Sequence, residues 1–157
     1  MNPVEFCKLY KIIDYTINED QSIDVDGDVW ISNVGIQQLP VSFNKVTGSF
    51  YISENGLTTL KGSPKWVGGN FSCFNNRLKT LQYSPIYIGS HFNCRNNSIK
   101  SIFGGPREVV GNFYCDDSLS DDILIKMDGY IIPNYENYIK MISRYRIISD
   151  MNNKNNE

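Results

Sequence analysis

A step of 21 residues governs this chain. Phe50, Phe71, Phe92 and Phe113 stand 21 residues apart, and Val29 lies one step before Phe50. Two positions later the column reads Ile31, Ile52, Cys73, Cys94, Cys115. Five later it reads Val34, Asn55, Asn76, Asn97, Ser118. Ten later come Leu39, Leu60, Leu81, Ile102, and four earlier come Val25, Val46, Val67, Ile88, Val109. Agreement of five columns in one register is a poor match to chance. A repeat of this length marks stacked coils, each burying its apolar side against its neighbours.

Within one unit the pattern predicts a bend, a short strand and a return. Gly27, Gly48, Gly69 and Gly111 stand two before the first core residue, with Ser90 in the fourth place. Glycine accepts backbone angles closed to other residues, so this column is expected to mark the bend into the strand. Alternation along the strand sends Phe71 and Cys73 inward and Asn70, Ser72 and Phe74 outward. One such strand per coil predicts a single parallel sheet. Pro64, Pro85 and Pro106 form a column that holds the return segment extended without an amide donor. Asn55, Asn76 and Asn97 are expected to turn inward as a ladder, because a buried amide can satisfy backbone groups of its own and the next coil. Asn75 is expected to face solvent and to tolerate change.

The flanks differ from the repeats. Asn2 can cap a helix, Pro3 fits its first position, and Glu5 faces its free amides. Phe6, Leu9, Tyr10 and Ile13 follow at helical spacing, which predicts an amphipathic helix over 3–16. The single domain therefore divides into an N-terminal helical cap (1–21), five repeats (22–119) and a C-terminal helical cap (120–148). A polar tail (149–157), without a core pattern, is expected to be disordered.

The 157 residues suffice for one substantial core, and the net charge of −2 is nearly neutral. The 15 Lys and Arg are scattered, which disfavours nucleic acid as the main partner. No apolar run reaches a membrane span, and the N-terminus lacks a secretory pattern. Cys73, Cys94 and Cys115 share a core column and are read as small hydrophobes; no zinc-like spacing accompanies them. Reduced thiols suit a cytoplasmic location. No metal or cofactor is expected.

The motif Phe71-x-Cys73-x-x-Asn76-x-Leu78 resembles the leucine-rich repeat, with Phe and Cys in places where that family has Leu. The resemblance covers residues 22–119. Its flavour, with Pro, Val, Gly, Phe, Cys, Asn and Leu at set places, is similar to short repeat proteins of large tailed bacteriophages. The resemblance implies a leucine-rich-repeat-like solenoid that binds a protein partner through its sheet. In the phage setting it implies a bacterial host protein, with inhibition of host defence as one outcome. No catalytic residues carry over, so an enzyme is not expected.

On the outward strand positions the candidate partner-binding residues are Trp30, Tyr51, Phe74, His91, Arg95, Tyr114 and Asp116. Aromatic and arginine side chains dominate interface hot spots. His91, the only histidine, is read as a contact, since no serine or acid column aligns with it to build a triad. Asp116-Asp117 and Asp121-Asp122 are read as turn and helix-start residues. The alternative is a nucleic-acid-binding adaptor using the exposed aromatics and a basic loop edge of Lys61, Arg77, Lys79 and Lys100. The sequence leaves the partner's identity and the oligomeric state open.

Overall fold

The computed structural model describes residues 1–100 and 104–116, and the backbone of 132–133. The helices expected over 120–148 and the 149–157 tail otherwise lie outside these residues, as do Ile102 and Ser118.

Helix α1 (Pro3–Leu9) opens at Asn2. The Glu5 N–H donates to Asn2 Oδ1 at 2.9 Å, and the Asn2 N–H donates to the Glu5 carboxylate at 3.3 Å. This reciprocal pair satisfies the exposed donors of the helix start. The helix is shorter than the 3–16 expected. Lys11 and Asp14 both adopt left-handed backbone angles, φ 53°, which end it. Strand β1 (Tyr15–Ile17) then pairs antiparallel with β2 (Ile23–Val25), so sheet pairing overrides the helical spacing. Of the expected stripe Phe6 is buried and packs on Phe43, while Leu9 and Ile13 are exposed; Cys7 and Ile12 take the inward places instead.

The remaining strands are β3 (Val29–Trp30), β4 (Phe43–Val46), β5 (Phe50–Tyr51), β6 (Trp66–Val67), β7 (Phe71–Ser72), β8 (Tyr87–Ile88), β9 (Phe92–Asn93), β10 (Glu108–Val109), β11 (Asn112–Tyr114) and β12 (Ile132–Pro133). They form two sheets rather than one. A valine sheet runs β1-β2-β4-β6-β8-β10, and a phenylalanine sheet runs β12-β11-β9-β7-β5-β3. The Val25 to Val109 column, which the sequence reading listed as apolar but placed in no strand, is the inward side of its own sheet. Its neighbours Lys45, Trp66, Tyr87 and Glu108 pair in register and face outward. Among the described strands every stacked coil-to-coil pair is parallel, and only the outermost β1 and β12 run antiparallel. Five parallel rungs per sheet enclose about four turns of roughly 21 residues, one fewer than expected, because the first and last rungs bound the stack. The chain is a β-solenoid.

The core lies between the sheets. Phe50, Phe71, Phe92 and Phe113 are all buried and follow one another at ring-centroid distances of 5.7, 5.6 and 4.8 Å. The first two pairs stack, and the last is tilted, so each aromatic ring packs on its own equivalent one coil away. Cys73 and Cys94 lie fully within this core, where burial pushes both thiols well above their ordinary range. The Cys94 thiol donates to the Tyr114 carbonyl at 3.3 Å.

The asparagine ladder is present, rung by rung. The Asn76 amide donates to Ile52 O and Cys73 O, each at 3.0 Å, and its oxygen accepts from the Leu57 N–H at 3.0 Å. Asn55 repeats this one coil earlier toward Ile31 O and Ile52 O, and Asn97 one coil later toward Cys73 O and Cys94 O. Each side chain thus ties a carbonyl of its own coil to one of the preceding coil.

The glycine column has a different cause from the one expected. Gly27 alone among Gly27, Gly48, Gly69 and Gly111 has a left-handed φ, 132°. The other three are needed for space. A Cβ on Gly48 would strike Asp28 Oδ1, one on Gly69 would strike Ser49 Oγ, and one on Gly111 would lie 2.7 Å from His91 Nδ1.

Candidate binding face

Those three crowding atoms belong to a second ladder, on the outer side of the phenylalanine sheet. The Ser49 N–H donates to Asp28 Oδ1 at 2.6 Å, and the Asn70 N–H to Ser49 Oγ at 3.0 Å. The His91 N–H donates to Asn70 Oδ1 at 3.1 Å, and the Asn112 N–H to His91 Nδ1 at 2.9 Å. Each side chain accepts from the residue 21 places on. Asp, Ser, Asn and His share one property that this position demands, an acceptor atom one or two bonds beyond Cβ. The sequence reading treated the column as a free surface. The available signal was that all four members can accept a hydrogen bond.

The ladder holds the outward residues on a stiff floor. His91 is exposed, but its Nδ1 is committed to the backbone as the acceptor of the Asn112 N–H, which leaves Nε2 as the ring atom free for a partner. Its ring lies 5.9 Å from that of Tyr114, tilted by 52°. The Arg95 guanidinium sits 4.7 Å over the same Tyr114 ring. The Tyr114 hydroxyl accepts from the Asn112 amide at 3.0 Å. Three of the expected site residues therefore form one cluster.

Trp30 and Tyr51 form another. Their rings stack at 4.0 Å with an interplanar angle of 24°. Trp30 is 61 % exposed, and Tyr51 is half-buried with its hydroxyl accepting from the Asn70 amide at 3.3 Å. Ser72 and Asn93 occupy the same column between Tyr51 and Tyr114, so a polar gap two coils wide separates the clusters. Phe74, half-buried, stands on the intermediate coil, one column over.

The column of Ser32, Ser53, Phe74, Arg95 and Asp116 is less open than alternation suggests. Ser53 is buried, its hydroxyl against Ser72 O and Oγ at 3.2 and 2.8 Å. Asp116 spends both carboxylate oxygens on the Asn96 and Asn97 N–H groups, at 2.6 and 2.8 Å. It secures the next corner as well as bordering the face.

The valine sheet carries aromatic side chains that the sequence reading overlooked. Trp66 stacks on Tyr87 at 5.4 Å and 6°, and Lys45 Nζ lies 5.1 Å over Trp66. Their column could have been found from the same 21-residue step. Lys61, Arg77, Lys79 and Lys100 of the basic edge are all exposed. Among the described residues no group of three or more His, Cys, Asp or Glu could hold a metal ion, and no helix is long and apolar enough to cross a membrane.

Comparison with protein-family models, with curated proteins and with solved structures found no match.

Proposed function

We propose that this β-solenoid is a leucine-rich-repeat-like binding module that holds a protein partner on the outer face of the phenylalanine sheet. One observation carries the reading. Trp30, Tyr51, Arg95 and Tyr114 come from four different coils, yet stand as two ring clusters on one hydrogen-bonded floor. Side chains with few free rotamers, fixed on a rigid sheet, lose little entropy on binding. Aromatic and arginine residues placed so are the usual anchors of protein interfaces. The polar gap of Ser72 and Asn93 offers hydrogen bonds between the two anchors. Phage-like features of the repeat point to a bacterial host protein as that partner and to inhibition as the outcome. In this reading α1 and the C-terminal segment close the ends of the stack, and the molecule acts in the cytoplasm without catalysis.

The test is capture from bacterial lysate followed by titration of the captured protein. Tyr51→Ala combined with Phe74→Ala is expected to weaken binding by roughly 30-fold or more, from about 2 kcal/mol lost at a hot spot. Circular dichroism must show the double variant folded. Undiminished affinity moves the site elsewhere: to the valine sheet if Trp66→Ala abolishes binding, or to the basic edge if binding to nucleic acid falls steeply with salt.

A further inference from the structure

Around Tyr114 the acceptors of His91, Asn93 and Asp116 are occupied, and the donors are free. His91 Nδ1 takes the Asn112 N–H, and Asn93 Oδ1 takes the Arg95 N–H at 3.2 Å. Asp116 gives both carboxylate oxygens to the Asn96 and Asn97 N–H groups. By contrast, among the described residues the Arg95 guanidinium has no hydrogen bond and no ion pair. The Asn93 side-chain N–H groups, His91 Nε2 and the Tyr114 O–H likewise meet no acceptor there. An imidazole that accepts at one ring nitrogen donates from the other. The backbone bonds to Asn93 Oδ1 and His91 Nδ1 thus settle which end of each side chain is left for a partner.

These donors stand together. Phe92 and Cys94 are buried, so alternation sends His91, Asn93 and Arg95 to the outer side of one strand segment. Tyr114, from the next coil, draws the two ends of that segment inward. The His91 ring and the Arg95 guanidinium lie 5.9 and 4.7 Å from the same phenol ring.

We infer that this strip receives a carboxylate of the protein partner, paired with Arg95 and flanked by the His91 and Asn93 donors. The inference rests on the sheet-face reading and names the chemistry recognised at the Tyr114 end of that face. A guanidinium presents its N–H groups in a planar fork that matches the two oxygens of a carboxylate. The Tyr114 ring holds the fork in place, so little freedom is lost on pairing. Charge selects the size of the anion. Arg95 carries the fixed positive charge of the cluster, and the Asp116 carboxylate borders it. One positive charge balances a carboxylate, whereas a phosphate monoester, with nearly two negative charges, leaves an excess beside Asp116. A partner's cation meets Arg95 and finds the acceptors of His91, Asn93 and Asp116 already engaged. The Trp30–Tyr51 stack lies beyond the polar gap and offers rings instead of donors. The matching partner surface therefore carries an acidic group at one end and an apolar group at the other.

Nuclear magnetic resonance of the isotopically labelled full chain tests it, with short peptides as probes. His91 is the only histidine, so its side-chain signals are identified at once. The first probe is a glycine-rich peptide with blocked ends and a central glutamate. The second has glutamine in its place, and the third is all glycine with a free C-terminal carboxylate. At millimolar peptide a carboxylate probe is expected to move the His91 and Arg95 side-chain signals to saturation, and the glutamine probe to leave them still. The tighter of the two carboxylate probes tells an acidic side chain from a chain end. Arg95→Gln is expected to weaken that binding roughly ten-fold or more, the loss of a hydrogen bond to a charged group, with circular dichroism unchanged. The glutamine probe supplies the same comparison if Arg95→Gln does not fold. Equal binding of the glutamate and glutamine probes overturns the inference. So does the absence of binding by both carboxylate probes, or tighter binding of inorganic phosphate at the same signals. None of these outcomes touches the sheet-face reading, which stands or falls with the Tyr51→Ala and Phe74→Ala titration.

Discussion

Glu54 occupies a corner where its neighbours in the repeat are asparagines. Asn33, Glu54, Asn75 and Asn96 have φ of 54°, 55°, 54° and 52°, one left-handed residue per coil just before the Asn ladder. Asparagine enters that region more readily than other side chains, because its short amide bonds locally. Glu54 is exposed, so its replacement disturbs no packing. Glu54→Asn is therefore expected to stabilise the protein by about 0.5–1 kcal/mol, seen as a thermal midpoint higher by roughly 1–4 °C. The same geometry corrects the expectation for Asn75. It does face solvent, but a leucine there would be strained, and only Gly or Asp suits as a neutral change. Asn76 next to it is a different case. Asn76→Leu strands the Leu57 N–H and the Ile52 and Cys73 carbonyls, and is expected to cost at least about 2 kcal/mol by denaturant titration. If Asn76→Leu and Asn75→Gly unfold at one midpoint, the ladder contributes nothing.

Between β1 and β2 the chain reverses through a tight turn built on Asp20. Its carboxylate accepts from the Ser22 hydroxyl at 2.6 Å and from the Ser22 N–H at 3.0 Å. These bonds, the hydroxyl's first, hold the Asp20 carboxyl below the ordinary aspartate range. A lowered folded-state value means the ionised form favours folding. That contribution is complete above the unfolded aspartate pKa, about 3.9, and disappears as pH falls through the lower folded value. Stability is thus expected to decline as the solution is acidified below about pH 4, and Asp20→Asn is expected to flatten that part of the profile. Denaturant midpoints of both proteins across the acid range are the measurement; parallel profiles would assign the acid sensitivity to other carboxylates. The element this turn forms, β1, is the one that sequence spacing assigned to a helix. Phe6, Leu9, Tyr10 and Ile13 do fit a helical stripe, yet residues 15–17 gain a sheet partner in 23–25, and only the fold brings that partner alongside.

At the scale of the molecule the repeat makes stability nearly one-dimensional, since each coil touches mainly the coils on either side. Deleting residues 61–81 removes one 21-residue step and joins Leu60 to Gln82, the equivalent of Lys61. Both hydrogen-bond ladders then re-form in register, Asn55 meeting Asn97 and Ser49 meeting His91. The shortened chain is expected to fold, with a cooperative melt and a smaller denaturant slope, because less surface is exposed on unfolding. Deleting one residue fewer shifts every later strand by one place. It sends inward side chains outward and is expected to abolish the cooperative melt. Equal folding of the two deletions would mean that register does not hold the stack.

The 21-residue step settled the repeat, the inward columns Val29 to Phe113 and Val25 to Val109, and the buried Asn ladder. Periodicity reports which positions meet the same environment in every coil, and burial is the environment that most narrows the choice of residue. Trp30, Tyr51, His91, Arg95 and Tyr114 were legible as outward for the same reason. Their grouping was not. That Trp30 meets Tyr51 while Arg95 and His91 converge on Tyr114 depends on side-chain directions between coils, which a linear pattern does not encode. The second ladder through Asp28, Ser49, Asn70 and His91 was hidden because its rule is one acceptor atom, a property shared by unlike residues. Space rather than backbone angle explains Gly48, Gly69 and Gly111, and that space is filled by the backbone and side chains of the preceding coil. The division of each coil between two sheets also came only from the fold: a two-residue strand is too short to show its alternation, and its partners are found only when the coils are stacked.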